Sequence, residues 1–128
     1  MALMFLNGGG MRGGSLHHHL QGAPLVRAAR TAPKYRFWAG RGDFPAMEPV
    51  QTGGRSVAGE VYDVPLEVLM RHLLPAEPRE LELGIIELED GTACLGMVLR
   101  RPFDGAEGLV EISELGDWRA YQAYQAGR

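Results

Sequence analysis

Residues 83 to 100 run Leu83-Gly84-Ile85-Ile86-Glu87-Leu88-Glu89-Asp90-Gly91-Thr92-Ala93-Cys94-Leu95-Gly96-Met97-Val98-Leu99-Arg100. Two largely apolar segments, 83–89 and 92–100, flank Asp90-Gly91. Glycine takes positive φ without steric cost, so an Asp-Gly pair between such segments predicts a β-hairpin with a two-residue turn. The hairpin sets the character expected of the whole chain: short strands joined by tight turns, with helices in the minority.

Working outward, residues 2–6 form a short apolar run that stops at Asn7-Gly8-Gly9-Gly10, as a buried strand feeding a glycine loop would. The run lacks the basic start and the length of a signal peptide. Residues 15–20 suit one helical turn with Ser15 as N-cap. Val26, Tyr35, Phe37 and Trp38 favour extended structure over 25–39, which Pro33 bends or interrupts. Further strands are expected over 44–50 and 56–64, with turns at Gly40 to Gly42 and at Gly53-Gly54. Pro65 fits the first turn of a helix over 65–74, ended by Pro75 and Pro78, with Leu66, Leu69, Met70 and Leu73 along one side. Residues 109–112 make a last short strand, and 118–125 a terminal helix carrying Trp118, Tyr121 and Tyr124. The pattern predicts an α+β fold, a small mixed or antiparallel β-barrel with a few short helices, occupying residues 1–128 as one domain.

Composition narrows the function. With 128 residues the chain can bury a core without covalent staples, and the lone Cys94 has no partner for an intrachain disulfide. Both facts suit a cytoplasmic protein. A net charge of −3 argues against nucleic-acid or anionic-membrane partners, which call for a basic face. No apolar run approaches the ~18 residues of a membrane span. The 18 glycines cluster at turns and read as punctuation, not low complexity.

Several stretches taken in order resemble the γ-glutamylcyclotransferase-like superfamily, and more narrowly the C-terminal domain of allophanate hydrolase. They are Asn7-Gly8-Gly9-Gly10-Met11-Arg12-Gly13, the Thr31-Ala32-Pro33-Lys34-Tyr35-Arg36 segment with the residues before it, Val57-Ala58-Gly59-Glu60-Val61-Tyr62, the strand entering Asp90-Gly91, and Gly116-Asp117-Trp118-Arg119-Ala120-Tyr121. The resemblance implies a small barrel with a ligand cavity walled by the first glycine loop. In cyclotransferases that loop holds substrate, and a glutamate after the first long helix is the general acid/base. The hydrolase domain is similar but carries a histidine in the loop, and it processes a small carboxylated product of an attached amidase. Here Gly10 stands at the histidine's place, and no amidase lies within these residues.

Candidate residues follow. Asn7, Gly8, Gly9, Gly10, Met11, Arg12 and Gly13, with Tyr35, form the expected substrate-binding set, because consecutive glycines can turn backbone N–H groups toward an anion. The loop is not a P-loop, since no Lys-Ser or Lys-Thr follows it. Glu60 shares a strand face with Ala58 and Tyr62, so it would be a buried carboxylate needing a partner; an ion pair with Arg30 or Arg36 is the structural reading, catalysis the functional one. Glu77 lies near the cyclotransferase glutamate's place, about one residue late and before Pro78. Beside Glu80 and Glu82 it reads most plainly as a solvated surface acid; its alternative is a general acid/base. His17, His18 and His19 read as solvated or packing residues, since adjacent side chains cannot readily chelate one ion; His17 lies nearest the loop. Cys94 reads as a small buried hydrophobe. No cofactor and no metal is called for.

These residues predict a domain that binds or processes a small amide or carboxylated nitrogen compound. A separate amidase partner and self-association stay open, as do the cyclotransferase reading through Glu77 and a non-catalytic accessory role.

Overall fold

The computed structural model describes residues 2–40, 44–100 and 109–127, so part of the expected Gly40 to Gly42 turn lies outside the described residues. Among the described residues the strands are β1 (Ala2–Leu6), β2 (Leu25–Arg30), β3 (Tyr35–Gly40), β4 (Phe44–Pro49), β5 (Ala58–Val64), β6 (Leu81–Glu87), β7 (Ala93–Leu99) and β8 (Leu109–Glu111). They form a five-stranded sheet in the order β2-β5-β1-β7-β6 and a three-stranded sheet in the order β4-β3-β8. β1 runs antiparallel to β5 and parallel to β7, so the larger sheet is mixed. Its two edges meet just past β2 and β6, where Thr31 bridges Leu88 through Ala32 N–H to Glu87 O (2.9 Å) and Glu89 N–H to Arg30 O (2.9 Å). The five-stranded sheet is thus curled until its edges touch at one point, short of a closed barrel. The fold is α+β and sheet-dominated, with few short helices.

The segment Thr31 to Tyr35 knits this closure. Thr31 Oγ1 accepts the Val57 N–H (2.9 Å), and the Ser56 hydroxyl donates to Thr31 O (2.6 Å). The Tyr35 hydroxyl accepts the Glu87 N–H (2.9 Å), while Lys34 pairs with the Glu87 carboxylate at 2.7 Å. The Thr31, Ser56 and Tyr35 hydroxyls each bond a backbone group near the strand ends, and Lys34 adds a side-chain ion pair.

The hairpin of β6 and β7 forms as its apolar flanks require, but its turn differs from expectation. Leu88 and Thr92 pair through Leu88 N–H to Thr92 O (2.8 Å), and Gly91 N–H closes onto Leu88 O (2.9 Å). The loop therefore holds Glu89, Asp90 and Gly91, with Gly91 alone at positive φ, +88°. This is the three-residue hairpin in which one left-handed glycine follows a tight turn, in place of two positive-φ residues. The Asp90 carboxylate accepts the Thr92 N–H (3.0 Å) and fixes the exit.

The helix after Pro65 is split: an α-turn at Leu66–Val68, a π-turn at Leu69–Leu73 and a last α-turn at Leu74–Ala76. Pro75 sits inside it instead of ending it. The widened turn bonds Leu74 N–H to Leu69 O, carrying the chain up to Pro75, which has no N–H to donate. Widening also rotates the apolar side. Leu69 and Leu73 are buried, whereas Leu66 and Met70, expected beside them, are 63% and 60% exposed. The expected Ser15 cap is absent as well: the short 3-10 helix His17–Leu20 starts from Leu16 without a side-chain cap. The C-terminal helix Trp118–Ala126 is capped by Asp117, whose carboxylate accepts Arg119 N–H (2.9 Å) and Ala120 N–H (3.2 Å). Trp118 and Tyr121 stack at 5.3 Å and enter the core; Tyr124, three residues further on, is exposed.

The split helix supplies the first test. Leu69→Ala should lower the unfolding free energy by ~2–5 kcal/mol through a core cavity, and Leu66→Ala should change it by less than about 0.5 kcal/mol. Denaturant unfolding of both variants decides this; equal effects would mean the buried side is assigned wrongly.

Candidate functional site

β1 ends at Leu6, and the chain turns through Asn7 to Gly14 before the 3-10 helix. Two close approaches make the turn possible. A Cβ on Gly14 would collide with the Gly9 carbonyl, and one on Gly8 would collide with the Pro45 ring. The loop is closed internally by Met11 N–H to Gly8 O (3.1 Å), Gly14 N–H to Met11 O (2.9 Å) and Leu16 N–H to Gly9 O (2.9 Å). The amides of Gly8, Gly9 and Gly10 donate to no acceptor among the described residues.

These three glycines and Asn7 wall a cavity of about 470 Å³. Its other lining includes Ser15, Phe44, Pro45 and Met97, and a facing segment from Ala76 to Leu81 that contributes Glu77, Arg79 and Glu80. That size suits a small molecule. Glu77 arrives there because Pro78 disfavours a helical conformation at the residue before it. Glu77 is accordingly the extended residue at which the split helix stops, with φ −75° and ψ 151°. It is half-buried, and burial pushes its carboxyl up to about 7. The expectation of a solvated surface acid is therefore corrected: Glu82 and Glu77 share a sequence neighbourhood, but Glu77 turns inward. A carboxyl poised near neutrality can both accept and return a proton at physiological pH.

The other expected site residues separate. Met11 and Arg12 leave the cavity and line a second, polar cleft with Glu60, Arg27, Arg30 and Arg119. Gly13 lines neither space. Tyr35 is buried in the strand network described above and lines neither cavity, because its hydroxyl is committed to the Glu87 amide. Glu60 is buried as expected, at 3% exposure, but not beside the first cavity and not with Arg30 or Arg36. Its Oε1 accepts the Arg12 N–H (2.9 Å) and the Tyr62 hydroxyl (2.8 Å). Its Oε2 faces Arg119 Nη2 at 3.3 Å and Arg12 Nε at 3.5 Å. Burial alone would raise this carboxyl; the Arg12 amide, the Tyr62 hydroxyl and Arg119 outweigh it and hold it below its ordinary value. The same contact, with burial first, pushes the Tyr62 hydroxyl up to about 12. A carboxylate held ionised by four donors is a poor proton shuttle. Arg30 instead spans Ser56, donating to its hydroxyl (3.2 Å) and its carbonyl (3.4 Å).

His17 Nδ1 lies 2.9 Å from Gly10 O, so Nδ1 carries its proton, and the ring meets Tyr62 edge-on at 5.6 Å. The histidine braces the loop. Cys94 is buried with its thiol 3.2 Å from Leu3 O, and burial pushes the thiol up, away from nucleophilic use. Among the described residues no three His, Cys, Asp or Glu side chains converge as a metal site would require, and no helix is long and apolar enough to cross a membrane. Sequence reasoning missed Arg79 in the cavity and Arg119 on Glu60. Arg119 lay within the quoted Gly-Asp-Trp-Arg stretch, but its partners are 59 and 107 residues away.

Comparison with known proteins places this geometry. Residues 2–123 match the model of the allophanate hydrolase C-terminal domain. Over 121 residues the chain is 30% identical to urea amidolyase of Saccharomyces cerevisiae, covering 89% of this chain and only 6% of that protein. The solved structure of c4763, a uropathogenic E. coli-specific protein, is 38% identical with a TM-score of 0.88, covering 96% of each chain. A gamma-glutamyl cyclotransferase structure is similar in fold alone, at 12% identity and TM-score 0.51 over 86% of this chain and 69% of that one.

Glu77 makes a stability prediction. Its carboxyl titrates near 7 in the folded chain against 4.5 as an ordinary glutamate, so between those values the folded state holds the extra proton. Stability is therefore full below the lower value and falls as pH rises through the upper one. Measured between about pH 5 and pH 8, the unfolding free energy of wild-type protein should fall more steeply than that of Glu77→Gln. Parallel curves would mean that Glu77 titrates as a solvated acid.

Proposed function

The chain belongs to the allophanate hydrolase C-terminal domain family, and on that premise we propose that it binds and processes a small amide or carboxylated nitrogen compound in the cavity between the glycine loop and Glu77. One observation carries the reading: a half-buried carboxyl near neutrality shares a cavity with three backbone amides that have no acceptor among the described residues. The amides of Gly8, Gly9 and Gly10 receive a carboxylate or a polarised carbonyl oxygen, as oriented N–H groups do in anion nests and oxyanion sites. Glu77 exchanges a proton with the nitrogen or oxygen of the group that reacts. Asn7 and Ser15 supply further polar contacts from the same wall.

Gly10 occupies the place of the loop histidine that the family resemblance implies, so the proton-transfer role falls to the facing side of the cavity. The substrate reaches this site as the product of an amidase; the relative of which this chain spans 6% is named urea amidolyase. Glu77 in the cavity also gives the cyclotransferase reading a specific footing, so the assay includes it as an arm.

The test supplies purified protein with the freshly formed product of an allophanate-cleaving amidase and follows carbon dioxide release. A parallel reaction follows 5-oxoproline release from a γ-glutamyl amine. We expect faster carbon dioxide release with wild-type protein, reduced ~10²–10⁴-fold in Glu77→Gln, and no 5-oxoproline. Release of 5-oxoproline that is lost in Glu77→Gln would move the protein to the cyclotransferase class. Indifference of both reactions to the protein would overturn processing at this site.

A further inference from the structure

We propose that Arg119 is a positioning residue that, through Glu60, holds the glycine loop in its cavity-facing conformation from behind. The inference rests on reading that cavity as the ligand site. A run with five glycines among residues 8–14 has unusual backbone freedom, so its amides point one way only if the run is pinned at both ends. The entry is pinned by β1, whose last residue Leu6 pairs with Glu60 across the sheet. The exit is pinned at Arg12, where both backbone groups are taken. Arg12 N–H donates to Glu60 Oε1 (2.9 Å), and Arg12 O accepts from Arg119 Nη2 (2.8 Å).

One guanidinium nitrogen therefore serves two purposes. Arg119 Nη2 donates to the Arg12 carbonyl and also faces Glu60 Oε2 at 3.3 Å, the carboxylate that takes the Arg12 amide. The two clamps are mechanically one unit. The Arg119 backbone is fixed, because its own amide is capped by Asp117 and its neighbour Trp118 is buried in the core. Its guanidinium lines the second cleft and not the ligand cavity, so it acts on a ligand only through the loop. Pinning a loop before a ligand arrives removes ordering entropy from binding, the usual role of a supporting shell. The clamp also gives a physical reason for the arginine that follows the cap and the buried tryptophan in Gly116-Asp117-Trp118-Arg119.

Hydrogen exchange on the full chain tests the clamp, comparing wild-type protein with Arg119→Met and Arg119→Lys. Methionine keeps the aliphatic stem and removes both donated bonds; lysine keeps the charge and can restore one. In Arg119→Met the amides of Met11, Arg12, Gly14 and Leu16 should exchange ~10-fold faster or more, while sheet amides of β1 and β5 stay within about twofold. Arg119→Lys should recover part of the protection, and malonamate, offered as a probe, should bind Arg119→Met ~10-fold more weakly than wild-type protein. Equal acceleration of loop and sheet would mean that Arg119 only stabilises the fold and would overturn the proposal. Unchanged loop exchange, or faster exchange with malonamate affinity intact, would overturn it as well. Should Arg119→Met fail to fold, protection of the loop in Arg119→Lys equal to wild type would be the contradicting result. Failure of wild-type protein to bind malonamate would sink the reading of the cavity, and the exchange comparison would still decide the clamp.

Discussion

A carboxylate buried to 3% exposure inside a curled sheet is the constraint around which this molecule is arranged. Glu60 cannot be left alone there, because an unpaired buried charge typically costs several kcal/mol. Its requirement is met by a backbone amide from the first loop, a hydroxyl from its own strand, and two guanidinium groups, one of them on the last helix. The beginning, middle and end of the chain are thereby tied to one side chain. Removing one partner of such a group commonly costs ~3–5 kcal/mol, more than the whole group contributes relative to apolar packing. The value of the arrangement lies in specifying where the first loop and the last helix sit.

The cavity beside the glycine loop depends on that placement. Its glycines have no side chains with which to hold themselves, so the loop takes its shape from internal hydrogen bonds, from the buried Met11, from His17 against the Gly10 carbonyl, and from the Glu60 assembly at its exit. The facing wall is set by different physics. A π-turn carries the helix up to Pro75, and Glu77, before Pro78, is extended where the helix stops at the cavity. Two proline effects and one widened turn put a carboxyl where burial raises its affinity for protons. The two walls are thus built independently and meet across about 470 Å³.

What could be read in the sequence followed the range of the interactions involved. The hairpin at Asp90-Gly91 depends on neighbours, so its existence was legible; its three-residue form was not, because Glu89 joins the loop through a bond pattern that composition does not encode. The helix after Pro65 was legible from apolar spacing, yet that spacing assumed 3.6 residues per turn throughout; a π-turn intervenes, and of the four apolar residues Leu69 and Leu73 are buried while Leu66 and Met70 are exposed. The density of glycines marked the loop. Its division, with Asn7 to Gly10 on one space and Met11 and Arg12 on another, arises from a single reversal that no pattern announces. Arg30 and Arg36 were the expected partners of Glu60, whereas the partners found are Arg12 from the first loop and Arg119 from the far end of the chain. Tyr35 belonged to a segment shared with a family, and its work proved to be closing the sheet edge.

The claim on which the account rests is that the glycine-loop amides face an exchangeable ligand. Amide-resolved NMR titration of wild-type protein with malonamate, which carries a carboxylate and an amide on one short chain, tests it most directly. The account predicts saturable shifts centred on the amides of Gly8, Gly9 and Gly10, with smaller ones around Glu77. Shifts centred instead on Arg12, Arg27 and Arg30, with Gly8 to Gly10 unmoved, would contradict it.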